Sequence, residues 1–413
     1  MTGFGARDRD RGCEGVHDDI FVRALYLAHQ DKEVLILGFD LLFFSRDEAD
    51  RYKGAIGRRI DLAPSRILLN TSHTHTGPKV GTWLYDPPSD PHYLQELEYA
   101  IVDAACQARQ AAAEVTVWAG ATRSSLPLSR RRKDADGKVV WGPYAEGTVC
   151  DNLPVCLLKD SSDKPVSLLF SVSCHPSMIG GYQISAEYPG AATEQLDAHL
   201  GVTGSLFLQG TGGDAKPGIV GDAGGHWRKG TWEEVAAAGK TVADEVIHAV
   251  QVGLRQVRPE IQTASVEMEW PMEPAMGLEG LEALLADPEA DTTKRLWAMD
   301  KVSCLKRGYR IPTSVTITAH GVQLGTGLRI VGLEGEAVAE HGLRILDFYR
   351  EGVTFPLGYT DGAQLYLPTD DMLDEGGYEV VSYHEYRQPA RLARGMNGIL
   401  ARALRQLRDR GIR

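Results

Sequence analysis

From residue 21 to residue 410, short runs rich in Val, Ile and Leu alternate with longer stretches of helical periodicity, and no Pro-, Gly- or Ser-rich linker long enough to separate independent domains interrupts them. That alternation constrains the chain more than any other feature, because strands separated by helices bury their apolar faces best as an α/β domain. Strands are expected at 21–28 and 34–39 around a tight turn at 30–32, and at 67–71, 115–119, 153–158, 166–173, 206–209, 263–270, 314–324 and 328–333. Ala135-Asp136-Gly137 marks a hairpin turn between a basic run and Val139-Val140-Trp141. Helices are expected at 48–61, 93–112, 279–286, 293–299, 340–349 and 390–410. A further helix opens at Thr231-Trp232-Glu233-Glu234, whose Thr and Glu three residues apart have the form of a capping box.

At about 150 residues per domain, 413 residues would allow two or three. With neither a linker nor an internal repeat, the expectation is one α/β domain over 1–413, its mixed sheets surrounded by helices. The polar, helical stretch 271–312 reads as an insertion between strands.

Lys and Arg number 44 against 56 Asp and Glu, a net charge of −12, which argues against nucleic acid or an anionic membrane as partner. Six scattered cysteines, with no C-x-x-C, make neither a disulfide framework nor a Cys-rich zinc site and suit a reducing compartment. The charged opening MTGFGARDRDRG lacks the apolar run of a signal peptide, and no stretch approaches about 18 uninterrupted apolar residues. A cytoplasmic protein acting on a small molecule is expected; nothing in the pattern specifies an oligomeric state.

Four motifs and a tyrosine-rich segment carry possible chemistry. Ser72-His73-Thr74-His75-Thr76-Gly77-Pro78 follows a strand, and in extended backbone residues i and i+2 project to one side, so both imidazoles can meet at a metal. An H-x-H pair serves equally well in surface hydrogen bonding. Ser173-Cys174-His175-Pro176 ends another strand in the same manner, and two such strand-end histidines suggest a shared pocket. Gln209-Gly210-Thr211-Gly212-Gly213-Asp214-Ala215-Lys216-Pro217 lacks the G-x-x-x-x-G-K-[ST] order of a phosphate loop, so it reads as a tight loop presenting Asp214 to a site. Glu334-Gly335-Glu336 stands where a strand meets a helix; one acid could complete a metal shell or complement the helix dipole. Tyr359, Tyr366, Tyr378, Tyr383 and Tyr386 crowd the segment that follows, where a phenol can pack, stabilise an oxyanion or ligate zinc.

The order H-T-H-T-G-P, S-R-R, strand-C-H-P, Q-G-x-x-G-D, G-E and a Tyr-rich segment resembles the catalytic domain of the neutral/alkaline non-lysosomal ceramidases, zinc-dependent amidases. The resemblance runs from Val16-His17-Asp18-Asp19 to Tyr378, most of the chain. It implies a neutral-ceramidase-like fold with zinc held by His73, His175, Glu336 and Tyr366. It further implies His75 beside the scissile carbonyl, Arg130 of Ser129-Arg130-Arg131 on the substrate, and Tyr378 as a second active-site tyrosine. The chain departs from the family where Lys216 stands in place of the serine of G-D-x-S-P, which excludes a mechanism using that serine as nucleophile. Neither the family's secretion signal nor its immunoglobulin-like C-terminal domain is expected.

The resulting expectation is a zinc-dependent amidohydrolase. Zinc would lower the pKa of bound water to about 7 and polarise the carbonyl. His75 would stabilise the oxyanion or relay a proton, Tyr366 and Tyr378 would add donors, and Arg130, Lys216 and Asp214 would meet substrate. Positive charge from Arg130, Arg131, Arg132 and Lys216 suggests a small, soluble, polar amide rather than ceramide. Reverse condensation, ester hydrolysis and a non-catalytic metal-containing binding protein are the alternatives. A TIM-barrel amidohydrolase would need eight regular βα repeats, which the irregular strand spacing does not supply.

Overall fold

The computed structural model describes residues 1, 11–81, 89–202, 204–222 and 225–413; most of the N-terminal stretch read above, residues 2–10, lies outside them. Val34, Leu35, Ile36 and Leu37 are all fully buried, although successive residues of a strand face opposite sides. The strand Lys32–Phe39 is therefore covered on both faces: Val34 and Ile36 enter one apolar cluster, Leu35 and Leu37 another. It pairs antiparallel with Val22–His29 and parallel with Ile67–Thr71, making the first of three main sheets.

The second sheet runs Leu206–Gln209, Pro165–Val172, Asn152–Lys159, Thr116–Arg123, Arg255–Val257, and the third runs Pro259–Pro271, Ser314–Gly325, Leu328–Leu333, Val353–Leu357. The inner faces of all three share one core. Ile36 and Leu68 of the first sheet, Leu169 and Leu208 of the second, and Ile330 and Phe355 of the third belong to it. Each outer face is covered by two helices: Arg46–Ile60 and Pro91–Gln110, then Glu187–Leu200 and Trp232–Gly253, then Ala339–Phe348 and Met396–Asp409. This is the mixed α/β architecture expected. A ribbon of Ala215–Pro217, Pro127–Lys133 and Val139–Tyr144 lies beside the sheets, with its hairpin turn at Gly137.

The strands Ile67–Thr71, Leu206–Gln209 and Leu328–Leu333 and the Thr231–Glu234 capping box form as the pattern predicts. Other elements differ for identifiable reasons. The first helix starts at Arg46 because Ser45 and Glu48 make a capping box of their own. The last helix starts at Met396 rather than 390: the Asp370 carboxylate takes the N–H groups of Gly395, Met396 and Asn397, a cap supplied from distant sequence. The helix Glu187–Leu200 is missed by the pattern because Pro189-Gly190 falls in its first turn and no side chain caps it. The strand Val353–Leu357 hides behind Pro356, which is tolerated because it lies at a sheet edge. In the 271–312 stretch, the helices Leu278–Ala286 and Thr292–Lys306 form an excursion between Pro271 and Ser314, residues that pair directly across the ladder. Among the described residues no helix is long and apolar enough to cross a membrane.

Candidate metal centre

Each main sheet contains one parallel strand pair, and the space beyond the C-terminal ends of parallel strands is where open α/β sheets gather ligands. His73 follows Ile67–Thr71, His175 follows Pro165–Val172, and Glu336 follows Leu328–Leu333. The three converge. Glu336 Oε2 lies 3.2 Å from His73 Nε2 and 3.4 Å from His175 Nε2, and His75 Nε2 lies 3.2 Å from His73 Nε2. The three imidazoles form a group compatible with a metal site, their ligand atoms all within 4.8 Å of one another.

The partner strand of each pair supplies the group that orients the residue. Leu42, beyond Lys32–Phe39, accepts from His73 Nδ1 at 3.0 Å. Gly212, beyond Leu206–Gln209, accepts from His175 Nδ1 at 2.7 Å. Tyr359, beyond Val353–Leu357, donates its O–H to Glu336 at 3.2 Å. With Nδ1–H committed to a carbonyl, each imidazole turns its Nε2 edge to the centre.

The expected route to this arrangement needs one correction. His73 is not in extended backbone; its φ is +65°, in the left-handed region, and the two imidazoles meet through that turn, ring centroids 4.8 Å apart. The glycine loop is tight for a steric reason. A Cβ at Gly213 would stand 2.6 Å from the Glu336 carbonyl oxygen, and one at Gly212 would stand 2.4 Å from the Cys174 nitrogen. It serves as packing under the centre, not as a phosphate cradle.

Tyrosines close the opposite side. Tyr366 Oη is 3.3 Å from His175 Nε2, and Tyr366 is paired in a two-stranded parallel ribbon with Glu336. Tyr386 donates to Glu336 Oε1, and Tyr378 donates to Glu385 at 2.9 Å. Burial, with Glu336 close by, holds Tyr359 and Tyr386 well above the ordinary phenol range, so both remain O–H donors. Burial opposes ionisation of Glu336, but His73 and His175 hold its carboxyl well below the usual range. Burial, then Arg130, pushes His175 down to about 4; burial, then His73 and His175, pushes His75 well below 6.5. Imidazole nitrogens gathered around one carboxylate make a suitable donor set for a divalent cation.

Arg130 is buried against the centre. Its Nε donates to Glu379 at 2.8 Å, one Nη lies 3.4 Å from His175 Nε2, and the other Nη has no hydrogen-bond partner among the described residues. His73, His75, Arg130, His175, Lys216, Glu336, Tyr366 and Tyr378 all line one cavity of about 610 Å³, together with Leu42, Trp141, Trp227, Arg228, Lys229 and Tyr386. The metal-type histidines, the glutamate, the arginine and both tyrosines singled out in the sequence thus come together.

Asp214 does not join them. Its carboxylate turns away from the cavity to accept the Ala339 N–H at 2.8 Å, at the start of the helix Ala339–Phe348. Burial, then Glu379, pushes its carboxyl up to about 7. Arg131 and Arg132 are also absent from the cavity: Arg131 binds Glu379, Glu375 and the Gly376 carbonyl, and Arg132 binds the Gly225 carbonyl. Glu334 belongs to Arg46 and Gln364, leaving Glu336 as the acid that faces the histidines. No role for Glu379, Trp227, Arg228 or Lys229 could be read from the pattern: Trp227, Arg228 and Lys229 sit in a stretch without periodic or motif signal, and in the tyrosine-rich segment the signal lies on the phenols rather than on Glu379. Trp141 is visible there only as a strand residue.

No family model matches the sequence, and a search of curated proteins by sequence finds no match. Solved structures do match. The neutral ceramidase from Pseudomonas aeruginosa superposes with a TM-score of 0.74 at 14% identity, over 100% of this chain and 71% of the ceramidase chain. A ceramidase complexed with C2 gives 0.75 at 14%, over 99% of this chain and 73% of its own. The likeness spans all three sheets: the fold of this chain is that of neutral ceramidase.

Proposed function

We propose that the chain is a zinc-dependent hydrolase of an amide bond in a small substrate. The observation that carries the reading is the donor set of His73, His175 and Glu336, each oriented by a group of its own sheet. For ligand bonds of about 2.0–2.1 Å, the edges of a zinc tetrahedron measure roughly 3.3–3.4 Å. The separations of 3.2, 3.4 and 3.3 Å among His73, His175, Glu336 and Tyr366 fit that figure. His73, His175, Glu336 and Tyr366 would hold the ion. When bound there, zinc supplies Lewis acidity that polarises a carbonyl and makes water acidic enough to attack near neutral pH.

The remaining chemistry belongs to side chains. Hydrolysis breaks the C–N bond, joins the hydroxyl of water to the acyl carbon and delivers a proton to the departing amine. His75, half-buried with its Nε2 beside the centre, is placed to stabilise the developing oxyanion or carry that proton. The free Nη of Arg130 can hold an oxygen of the substrate, and Tyr378, its O–H held by Glu385, lines the same cavity. Asp214 has no part in binding substrate in this reading. That the structural relatives are ceramidases adds support for amide chemistry.

Elemental analysis of the purified protein tests the reading, with about one zinc per chain expected. His73→Ala and His175→Ala should each lose the metal. His17→Ala should keep it, because His17 stacks on Trp232 outside the cavity. A metal-free protein of unchanged stability would overturn the zinc assignment. Zinc without turnover on a library of acyl amides would return the chain to the binding-protein alternative.

A further inference from the structure

Lys216 lies in the short strand Ala215–Pro217, opposite Leu128 of the neighbouring ribbon strand. The carbonyl of Ala215 accepts the His175 N–H at 3.0 Å, so the backbone that carries Lys216 is tied directly to the metal-type centre. The residue is 8% exposed and lines the cavity. Its Nζ stands 5.2 Å from the ring centre of Trp227 and 5.9 Å from that of Trp141. Aromatic faces attract an ammonium but leave its charge uncancelled.

Among the described residues no carboxylate lies within ion-pair distance of this ammonium, whereas four of the charged groups that line the cavity with it are engaged. Arg130 is bound by Glu379 and Arg228 by Glu234; Glu336 faces the histidines and Glu385 accepts from Tyr378. A buried cation without a directly paired counter-ion is costly, and Lys216 is pushed down to about 8 by burial, with Arg130 and Lys229 adding to the effect and the Glu187 carboxylate opposing it from beyond ion-pair distance. An arriving anion would complete the pair. One ammonium between two aromatic walls matches a single negative charge on an otherwise apolar or amide-bearing molecule better than it matches a bulky polyanion.

We infer that the cavity takes amides bearing a carboxylate, and that Lys216 is the residue that binds it. The amide portion of the substrate rests on the hydrolase reading above; the anion subsite rests on Lys216 and its surroundings alone.

The test uses N-hexanoylglycine and its neutral counterpart N-hexanoylglycinamide. Binding of each is followed by tryptophan fluorescence, which Trp141 and Trp227 report, and release of glycine or glycinamide is followed on zinc-loaded protein. Wild type should bind the carboxylate at least 10-fold more tightly than the amide. In Lys216→Met that ratio should fall close to one with the metal retained, and in Lys216→Arg most of it should remain. Equal binding of the two probes by wild type would overturn the inference, as would a ratio unchanged in Lys216→Met. Should Lys216→Met fold poorly, the wild-type ratio and Lys216→Gln still decide. Preferential binding without cleavage of either probe would leave the anion subsite standing and remove the hydrolase reading. Equal cleavage of both, indifferent to Lys216, would do the reverse.

Discussion

His73 holds its ring in place from a left-handed backbone, a conformation that costs a non-glycine residue of order 1 kcal/mol. Its ring meets Glu336, His75 and the Leu42 carbonyl at once, and it lies 4.3 Å from the Tyr359 ring. Backbone strain of this kind persists only where the surroundings over-determine it, and it collects at functional sites. His75, two residues on, sits differently. Its Nε2 meets that of His73, but the Glu336 carboxylate pairs with His73 and His175. The two histidines of one motif should therefore separate in experiment. His75→Ala is expected to retain zinc while turnover falls by roughly 10²–10⁴, the usual worth of a positioned acid–base group. Metal analysis and steady-state kinetics on one preparation check this; loss of metal would make His75 a ligand. The sequence could show both histidines because their neighbours in the chain end a strand. It could not distinguish their roles, because Glu336 and the orienting Leu42 carbonyl reach them only through the fold.

Strand ends bring the centre together, and two buried polar side chains keep those ends in register. Asn70 accepts the Gln209 N–H at 2.7 Å and donates to the Gly358 carbonyl at 2.8 Å, joining the first sheet to the second and third. One residue earlier, Leu69 N–H donates to Asp361 Oδ1 at 3.0 Å and the Asp361 N–H returns to the Leu69 carbonyl at 2.8 Å. The other Asp361 oxygen meets Lys53 and His320, each at 2.6 Å. Burial opposes the charge on Asp361, but Lys53 and His320 hold its carboxyl well below the usual range. A folded-state pKa below the unfolded one contributes stability that is present above about pH 4 and is lost as pH falls further. Asp361→Asn leaves Lys53 buried without its partner and is expected to cost about 3–5 kcal/mol at neutral pH. Denaturant unfolding of both proteins at about pH 7 and about pH 3 checks it, with the gap narrowing at the lower value. A gap of equal size at both pH values would show that shape, not charge, is what Asp361 contributes. None of this cross-linking is legible in the chain, since Asn70 and Asp361 carry no periodicity. The strands they join are legible, because continuous apolar runs such as Val34–Leu37 and Ile67–Leu69 mark strands covered on both faces.

At the scale of the whole molecule, one segment stands outside the three-sheet plan and still reaches the centre. Between Pro271 and Ser314, which pair directly across the ladder, the chain makes the excursion that carries Leu278–Ala286 and Thr292–Lys306. These helices have a small apolar core of their own, built on Leu281, Trp297 and Ala298 with Tyr383 against it. The Trp297 indole N–H donates to the Gln388 carbonyl at 2.8 Å, and Lys301 donates to the Arg387 carbonyl at 2.7 Å. The segment braced in this way, 382–388, carries Glu385 and Tyr386, and Tyr386 holds one oxygen of Glu336. We therefore expect the excursion to be dispensable for folding but not for the centre. Replacing residues 275–311 by a short Asn-Gly turn keeps the pairing of Pro271 with Ser314 and the bond from Glu273 N–H to the Arg391 carbonyl. The shortened protein should unfold cooperatively with its far-ultraviolet circular dichroism little changed. Its zinc affinity should fall by about 10- to 100-fold, the usual cost of losing a group that orients a metal ligand. Tyr386→Phe in the full chain should weaken zinc in the same direction without disturbing the fold. Competition with a chromophoric chelator measures both. An unfolded shortened chain would make the excursion part of the core, and unchanged zinc affinity in both variants would show that Glu336 is held without Tyr386.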